Sequence, residues 1–124
     1  SFWEKATILH AEHHRAAMSP MPARYSRHYA DTAALGRLET VRAALHDDAL
    51  RDRVVAWKAR FFARGWARYD LARPSTFQLV PPVARMPKLA ADYAAMAPMY
   101  FKKPPTFETV VADLQRLQDA INRP

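Results

Sequence analysis

Two segments in the first third of the chain organise the rest of it: FWEKAT at residues 2–7 and RYSRHYAD at residues 24–31. Each segment opens a predicted helix, because apolar and aromatic residues recur there at helical spacing. A loop that contains two prolines separates the helices. When two such helices pack as a hairpin, Lys5 of the first and Asp31 of the second approach one cleft backed by aromatic rings. We expect the chemistry of the protein in this cleft.

The same residues also have a purely structural interpretation. Arg27 and Asp31 stand four positions apart, as expected for a surface ion pair within one helix. Lys5 lies at the border of the apolar face of its helix, where a lysine commonly lays its stem on apolar neighbours and keeps its ammonium in water. Spacing alone therefore does not distinguish a site from a solvated helix face.

The composition is that of a basic chain of single-domain length. It has 124 residues, no cysteine and a formal net charge of +7. The lack of cysteine excludes disulfides and thiolate metal sites, which fits a reducing, cytoplasmic location. No apolar run approaches the roughly 18 residues that a membrane span requires, so we expect no membrane partner. Much of the positive charge is arginine, which suits phosphate recognition and favours a nucleotide or nucleic acid as the anionic partner.

The rest of the chain predicts an all-α fold, a bundle of five or six helices in one domain over residues 1–124. Ser26 is predicted to cap the start of the second helix, and Gly36 to end it. Two further helices are predicted near 38–45 and 49–64, and two more after Pro87 and after Thr106. An aspartate at 47 or 48 is predicted to cap the helix at 49–64, Pro87 suits the first turn of its helix, and Thr106 is predicted to cap the last one.

One short segment, near residues 76–80, departs from this helical pattern. It alternates in polarity, is partly β-branched and ends at two prolines, so it predicts at most one short extended segment. A lone strand is weak support for a sheet. It either packs as coil or pairs with a part of the protein outside this sequence.

The helix at 49–64 raises two expectations. Its apolar residues repeat at four, three and four positions, which predicts a core-facing stripe: Leu50, Val54, Trp57 and Phe61. Lys58 falls inside the wider apolar arc, and burying an ammonium is costly unless it is paired or faces a ligand. Lys58 therefore either points into the same cleft as Lys5 and meets phosphate, or pairs with a carboxylate.

The end of the first helix invites a metal interpretation, because His10 and His14 stand one turn apart. A zinc-binding helix of the known kind needs a glutamate directly after the first histidine, and Ala11 stands there instead. We therefore expect no metal site at these histidines. A polar helix end, where cationic side chains suit the helix dipole, explains them equally well.

The two opening segments resemble the third and fourth motifs of the AbiEii/AbiGii-type toxin family. These toxins are minimal nucleotidyltransferases of the DNA polymerase β superfamily, found in bacterial abortive-infection and toxin–antitoxin systems. The resemblance extends to Asn122 and so covers nearly the whole chain. It continues through three later segments: 55–58, 79–82 and 92–96.

This resemblance implies roles for particular residues. The motif lysine, here Lys5, holds the phosphates of the nucleotide, and the motif aspartate, here Asp31, is needed for activity. Arg24, Arg27 and Lys58 are secondary candidates for phosphate binding. The implied substrates are a nucleoside triphosphate and an RNA or protein acceptor, and an antitoxin is an expected partner.

The sequence departs from the family pattern in one respect. Family members carry, ahead of these motifs, a Gly-Ser turn and an Asp-x-Asp pair that binds magnesium, and this sequence has neither. We therefore expect residues 1–124 to be the C-terminal portion of a longer nucleotidyltransferase. Mg²⁺ is then expected in the full-length protein, with no cofactor and no catalysis in this portion alone. The second hypothesis is a non-enzymatic basic helical module that binds RNA or a protein partner.

Overall fold

A computed structural model describes residues 2–16 and 19–123. Over these residues the chain is all-α and contains no strand, which confirms the predicted fold class. The described residues form these α-helices: α1 (Phe2–His13), α2 (Ser26–Leu35), α3 (Glu39–Ala44), α4 (Asp48–Phe61), α5 (Met86–Met96) and α6 (Phe107–Asn122). Short 3-10 turns connect them: Gly65–Ala67, Tyr69–Leu71, Val83–Arg85 and Ala97–Met99. None of the helices described is long and apolar enough to cross a lipid bilayer.

Helix α1 is the central element of the fold, because it packs against both α2 and α4. Its residue Trp3 is almost fully buried and makes edge contacts with the rings of Phe2 and Phe77, at centroid distances of 5.3 and 5.7 Å. The indole N–H of Trp3 donates to the carbonyl oxygen of Ala44 at 3.2 Å, so its one polar group is satisfied. The indole therefore ties α1 both to the core and to the end of α3.

Three predicted helix termini are confirmed. Gly36 is the residue that follows the last turn of α2. The side chain of Asp47 accepts a hydrogen bond from the N–H of Leu50 at 3.0 Å, at the start of α4. The side chain of Thr106 likewise accepts from the N–H of Thr109 at 3.1 Å, at the start of α6. Each cap satisfies a backbone donor that the helix itself leaves without a partner.

The prediction that Ser26 caps α2 is wrong. Ser26 is the first helical residue, and Tyr25 before it makes no side-chain cap hydrogen bond. The capping group comes from α5, where the carboxylate of Asp92 accepts from the backbone N–H groups of Arg24 at 2.7 Å and Ser26 at 2.9 Å. A carboxylate at this position also suits the positive end of the helix dipole.

The prediction of a core-facing stripe on α4 is wrong in its second half. Leu50 and Val54 pack against the core, but Trp57 and Phe61 are exposed. Helix α4 turns a different side inward, the side that carries Arg51. Its guanidinium forms ion pairs with two aspartates of its own helix, and this pairing allows it to be buried.

The segment at 76–80 packs as coil, which was one of the two predicted outcomes. Side chains of α6 take the place of a partner strand. The amide oxygen of Gln118 accepts from the backbone N–H groups of Leu79 at 2.7 Å and Val80 at 3.0 Å. Asn122 both accepts from and donates to the backbone of the same segment. The extended backbone is therefore satisfied without a sheet.

Candidate functional site

Lys5 and Asp31 come together across the packed pair α1 and α2. The Lys5 ammonium nitrogen lies 3.9 Å from a carboxylate oxygen of Asp31, and the two side chains are 36% and 47% exposed. Asp31 forms this ion pair with α1 and not the predicted pair with Arg27 inside its own helix. An exposed ion pair contributes only about 0–1 kcal/mol to stability. The pair therefore presents two opposite charges to solvent with little structural role.

The imidazole of His28 lies next to this pair. Burial lowers the pKa of His28, and the positive charge of Lys5 lowers it further, while Asp31 opposes the shift. His28 is therefore neutral at pH 7, because even the ordinary pKa of a histidine lies below that pH. A neutral imidazole adds a hydrogen-bonding group to the site without adding charge.

Tyr25 and Glu12 continue the site along α1. Tyr25 interacts electrostatically with the carboxylate of Glu12, and its ring meets that of His28 at a centroid distance of 4.7 Å. Burial raises the pKa of Tyr25, and the charge of Glu12 raises it further, so the hydroxyl stays protonated. The buried Glu12 also accepts a hydrogen bond from Arg15 at 3.2 Å.

Glu12 is the residue of this site that the sequence patterns did not single out. Lys5 and Glu12 stand seven positions apart, which is about two turns, so they share one face of α1. That spacing is the signal by which Glu12 is found from sequence. Its buried carboxylate forms an ion pair with Arg15.

Among the described residues, Lys58 shares a groove with Glu12 and not with the Lys5 pair. A groove of about 270 Å³ separates α1 from the end of α4, and Glu12 and Lys58 are both in its wall. Neither Lys5 nor Asp31 is among the described residues that line this groove. The Lys58 ammonium makes no ion pair within the described part of the chain. It lies 5.0 Å from the ring centroid of Phe62, in a cation–π contact.

Arg24 and Arg27 lie at the start of α2 with exposed side chains. Arg24 has a left-handed backbone conformation (φ 64°), and its N–H is bound by Asp92. Arg27 is the nearer of the two to the site, because its charge contributes to the lowered pKa of His28.

His10 has a structural role. Its Nε2 lies 2.8 Å from the carbonyl oxygen of Arg68 and its Nδ1 accepts from the N–H of Gln78 at 3.0 Å, so Nε2 carries the proton and donates. Burial lowers its pKa to about 4. Since both ring nitrogens are occupied, His10 holds α1 to the segment after α4 in the neutral form.

The residues around Lys5 do not form a magnesium site. Mg²⁺ needs near-octahedral oxygen coordination, and the carboxylate at this position, Asp31, already faces an ammonium. Within residues 2–16 and 19–123, no group of three or more metal-ligating side chains is arranged to hold a metal ion. The chemistry available to these residues is therefore charge neutralisation and orientation of an anionic substrate.

Comparison with known proteins identifies the family of the chain. The family model described as nucleotidyl transferase AbiEii toxin, type IV toxin–antitoxin system, matches residues 1–119. No curated protein and no solved structure gave a significant match. The matched region contains both Lys5 and Asp31 and covers all but the last five residues of the chain. The chain therefore belongs to the AbiEii nucleotidyl transferase toxin family of type IV toxin–antitoxin systems.

Proposed function

We propose that this chain supplies the phosphate-binding side of a nucleotidyl transfer site. In the longer protein, that site would move a nucleotide from a nucleoside triphosphate to an RNA or protein acceptor. The observation that carries the proposal is the 3.9 Å approach of the half-exposed Lys5 ammonium to Asp31. Family membership supports the class of reaction.

Lys5 is the residue that meets the triphosphate in this proposal. A lysine ammonium acts on phosphate oxygens as a positive point charge, and a fixed charge of this kind stabilises the negative charge that develops on the departing pyrophosphate. Asp31 holds the ammonium between α1 and α2 before the nucleotide arrives. Because His28 is neutral, it adds no charge beside Lys5 and Asp31.

The remaining cations serve as further phosphate contacts in this proposal. Arg24 and Arg27 lie at the start of α2, where the charge of Arg27 acts on His28, and Lys58 lies near the end of α4. The magnesium-binding carboxylates are expected on the Asp-x-Asp motif of the longer protein, because the residues described here do not provide them. The expected partners are a nucleoside triphosphate, the acceptor and an antitoxin, with a cytoplasmic location.

The test uses the protein that carries this chain together with its upstream motifs. Each of the four α-labelled nucleoside triphosphates is supplied with RNA or protein acceptors, and transfer of label is measured. We expect Lys5→Ala and Asp31→Ala each to lower transfer by at least about 100-fold. The melting temperature should change little, because the pair is exposed.

Lys88→Ala is the matched control, since Lys88 is an exposed lysine on α5. It should transfer label at the rate of the unaltered protein. If either the Lys5 or the Asp31 variant still transfers label, the assignment of these residues to the transfer site is wrong.

A further inference from the structure

The end of α4 carries a cluster of exposed aromatic side chains, which we call the aromatic patch: Trp57, Phe61 and Phe62. Their exposed fractions are 51%, 58% and 48%. The rings touch one another, with centroid distances of 5.2 Å from Trp57 to Phe61 and 5.4 Å from Trp57 to Phe62. Single exposed apolar residues need no explanation, but contiguous exposed aromatic rings indicate a binding surface.

Cations surround the aromatic patch. The guanidinium of Arg60 lies 5.4 Å from the ring centroid of Phe61, and the ammonium of Lys58 lies 5.0 Å from that of Phe62. Arg53 and Trp57 line a second groove, of about 300 Å³, on the side of α4 that faces Glu4. Arg64 lines the groove beside Lys58.

The charge of this surface is therefore mainly positive. Two acidic neighbours lie on α1: Glu4 lines the groove beside Arg53, and the buried Glu12 lines the groove beside Lys58 and is paired with Arg15. Asp52 of α4 is held by Arg51 in an ion pair. The exposed face of the rings is thus bordered by arginine and lysine side chains.

We propose that the aromatic patch binds a single-stranded segment of an RNA acceptor. Unpaired bases stack on exposed rings regardless of sequence, and the cations between the rings bind the backbone phosphates. The proposal rests on the proposed function, because it names RNA as the acceptor class. The groove beside Lys58 extends from Phe62 of the patch to Glu12 of α1, so a strand stacked on the rings can continue into it.

The charges favour RNA over a second copy of the chain. Two copies joined through this surface would bring their arginine and lysine side chains together, and like charges in contact disfavour association. A duplex is disfavoured for another reason, since its bases are already stacked on one another and offer no free faces.

The test measures binding of a fluorescent 12-nucleotide oligouridine to the chain, beside a 12-base-pair RNA duplex. We expect the single strand to bind more tightly, with affinity that falls as salt rises and with quenching of tryptophan fluorescence. Trp57→Ala should weaken binding about tenfold, and Trp57→Ala with Phe61→Ala more strongly still. Trp57→Phe keeps a ring at this position and should retain most of the binding.

Phe101→Ala is the matched control, because Phe101 is a fully exposed aromatic residue outside the aromatic patch. It should bind oligouridine as the unaltered chain does. Unchanged binding in the double alanine variant, equal affinity for the duplex, or no binding at low salt would each overturn the proposal. If sedimentation shows a dimer for the unaltered chain and a monomer for the double alanine variant, the patch binds a second copy of the chain and the RNA proposal is wrong.

The two proposals fail in distinguishable ways. Lys5→Ala should leave oligouridine binding unchanged while it abolishes nucleotide transfer in the longer protein. If the longer protein transfers nucleotide but does not bind oligouridine, another part of it covers the patch and only the RNA proposal is wrong.

Discussion

The hydroxyl oxygen of Ser26 lies 2.5 Å from a carboxylate oxygen of Asp92, which stands 66 positions further along the chain. Asp92 also accepts the N–H groups of Ser26 and Arg24, so it binds the first turn of α2 through three donors. The start of α2 is thus held by α5. Because Asp31 lies on α2, its position opposite Lys5 depends on this distant carboxylate.

Replacing Asp92 should therefore loosen α2. We expect Asp92→Ala to lower the free energy of unfolding by about 1–2 kcal/mol, the usual cost of losing a helix cap. Urea denaturation measures this change. Asp119→Ala is the control, because Asp119 is exposed on α6 and bonded to Gln115 of the same helix. An equally small effect of both substitutions would contradict the capping role.

The same carboxylate predicts an acid dependence. Burial alone would raise the pKa of Asp92, but the hydrogen bonds from Ser26 and Arg24 outweigh it and the pKa is lowered. The stability it provides is present above the ordinary pKa of about 3.9 and is lost as pH falls through the lower folded value. The stability difference between the unaltered chain and Asp92→Asn should therefore shrink below pH 4.

His10 should make the fold less stable in mild acid. Its folded pKa is about 4 and its ordinary value is 6.5, so the unfolded chain binds a proton first as pH falls. Between pH 6.5 and pH 4 this favours unfolding, by about 2 kcal/mol at pH 5. His10→Gln, whose amide can both donate and accept, should lose less stability from pH 7 to pH 5. Parallel pH profiles in urea denaturation would contradict this.

A side chain at Gly36 should destabilise the fold. A Cβ built there overlaps the side chain of the buried Leu117, so Gly36→Ala forces Leu117 to move. We expect a loss of about 1–3 kcal/mol, as for other overpacked sites. Gly65→Ala is the matched control, because a Cβ at Gly65 meets nothing within 4 Å. Equal melting temperatures for the two variants would refute this account.

Gln118 should contribute more to the stability of the fold than its position on a mostly polar helix face suggests. Gln118→Ala leaves the N–H groups of Leu79 and Val80 without their acceptor, at a cost of about 1–3 kcal/mol for buried donors. Gln118→Glu keeps an acceptor oxygen and should recover part of the loss. Gln115→Ala, on the exposed side of α6, should be nearly neutral in the same thermal melts.

Local patterns predicted most of the helices and the meeting of Lys5 with Asp31. Periodicity located α4 and α6, and the residues that cap them, Asp47 and Thr106, act within three positions along the chain. Such short-range patterns predict well because the two partners of each hydrogen bond are close in sequence. The family motifs then identified which charged residues on α1 and α2 to bring together.

Two predictions failed because the deciding partner is distant in sequence. Nothing near Ser26 indicates that a carboxylate from α5 caps α2. On α4, the periodicity marks an apolar stripe but does not show what covers it, so Trp57 and Phe61 were predicted buried and are exposed. The buried Arg51 faces α1 instead, because acidic neighbours on its own helix neutralise its charge.

The hydrogen bonds between α6 and the coil segment at 76–80 determine where the C-terminus of an expressed domain should lie. The family match ends at residue 119, yet Asn122 holds both backbone polar groups of Phe77, and Ile121 is buried in the core. A polypeptide that ends at residue 119 would lose both the Asn122 hydrogen bonds to Phe77 and the buried side chain of Ile121. Expression boundaries for the domain belong beyond Asn122.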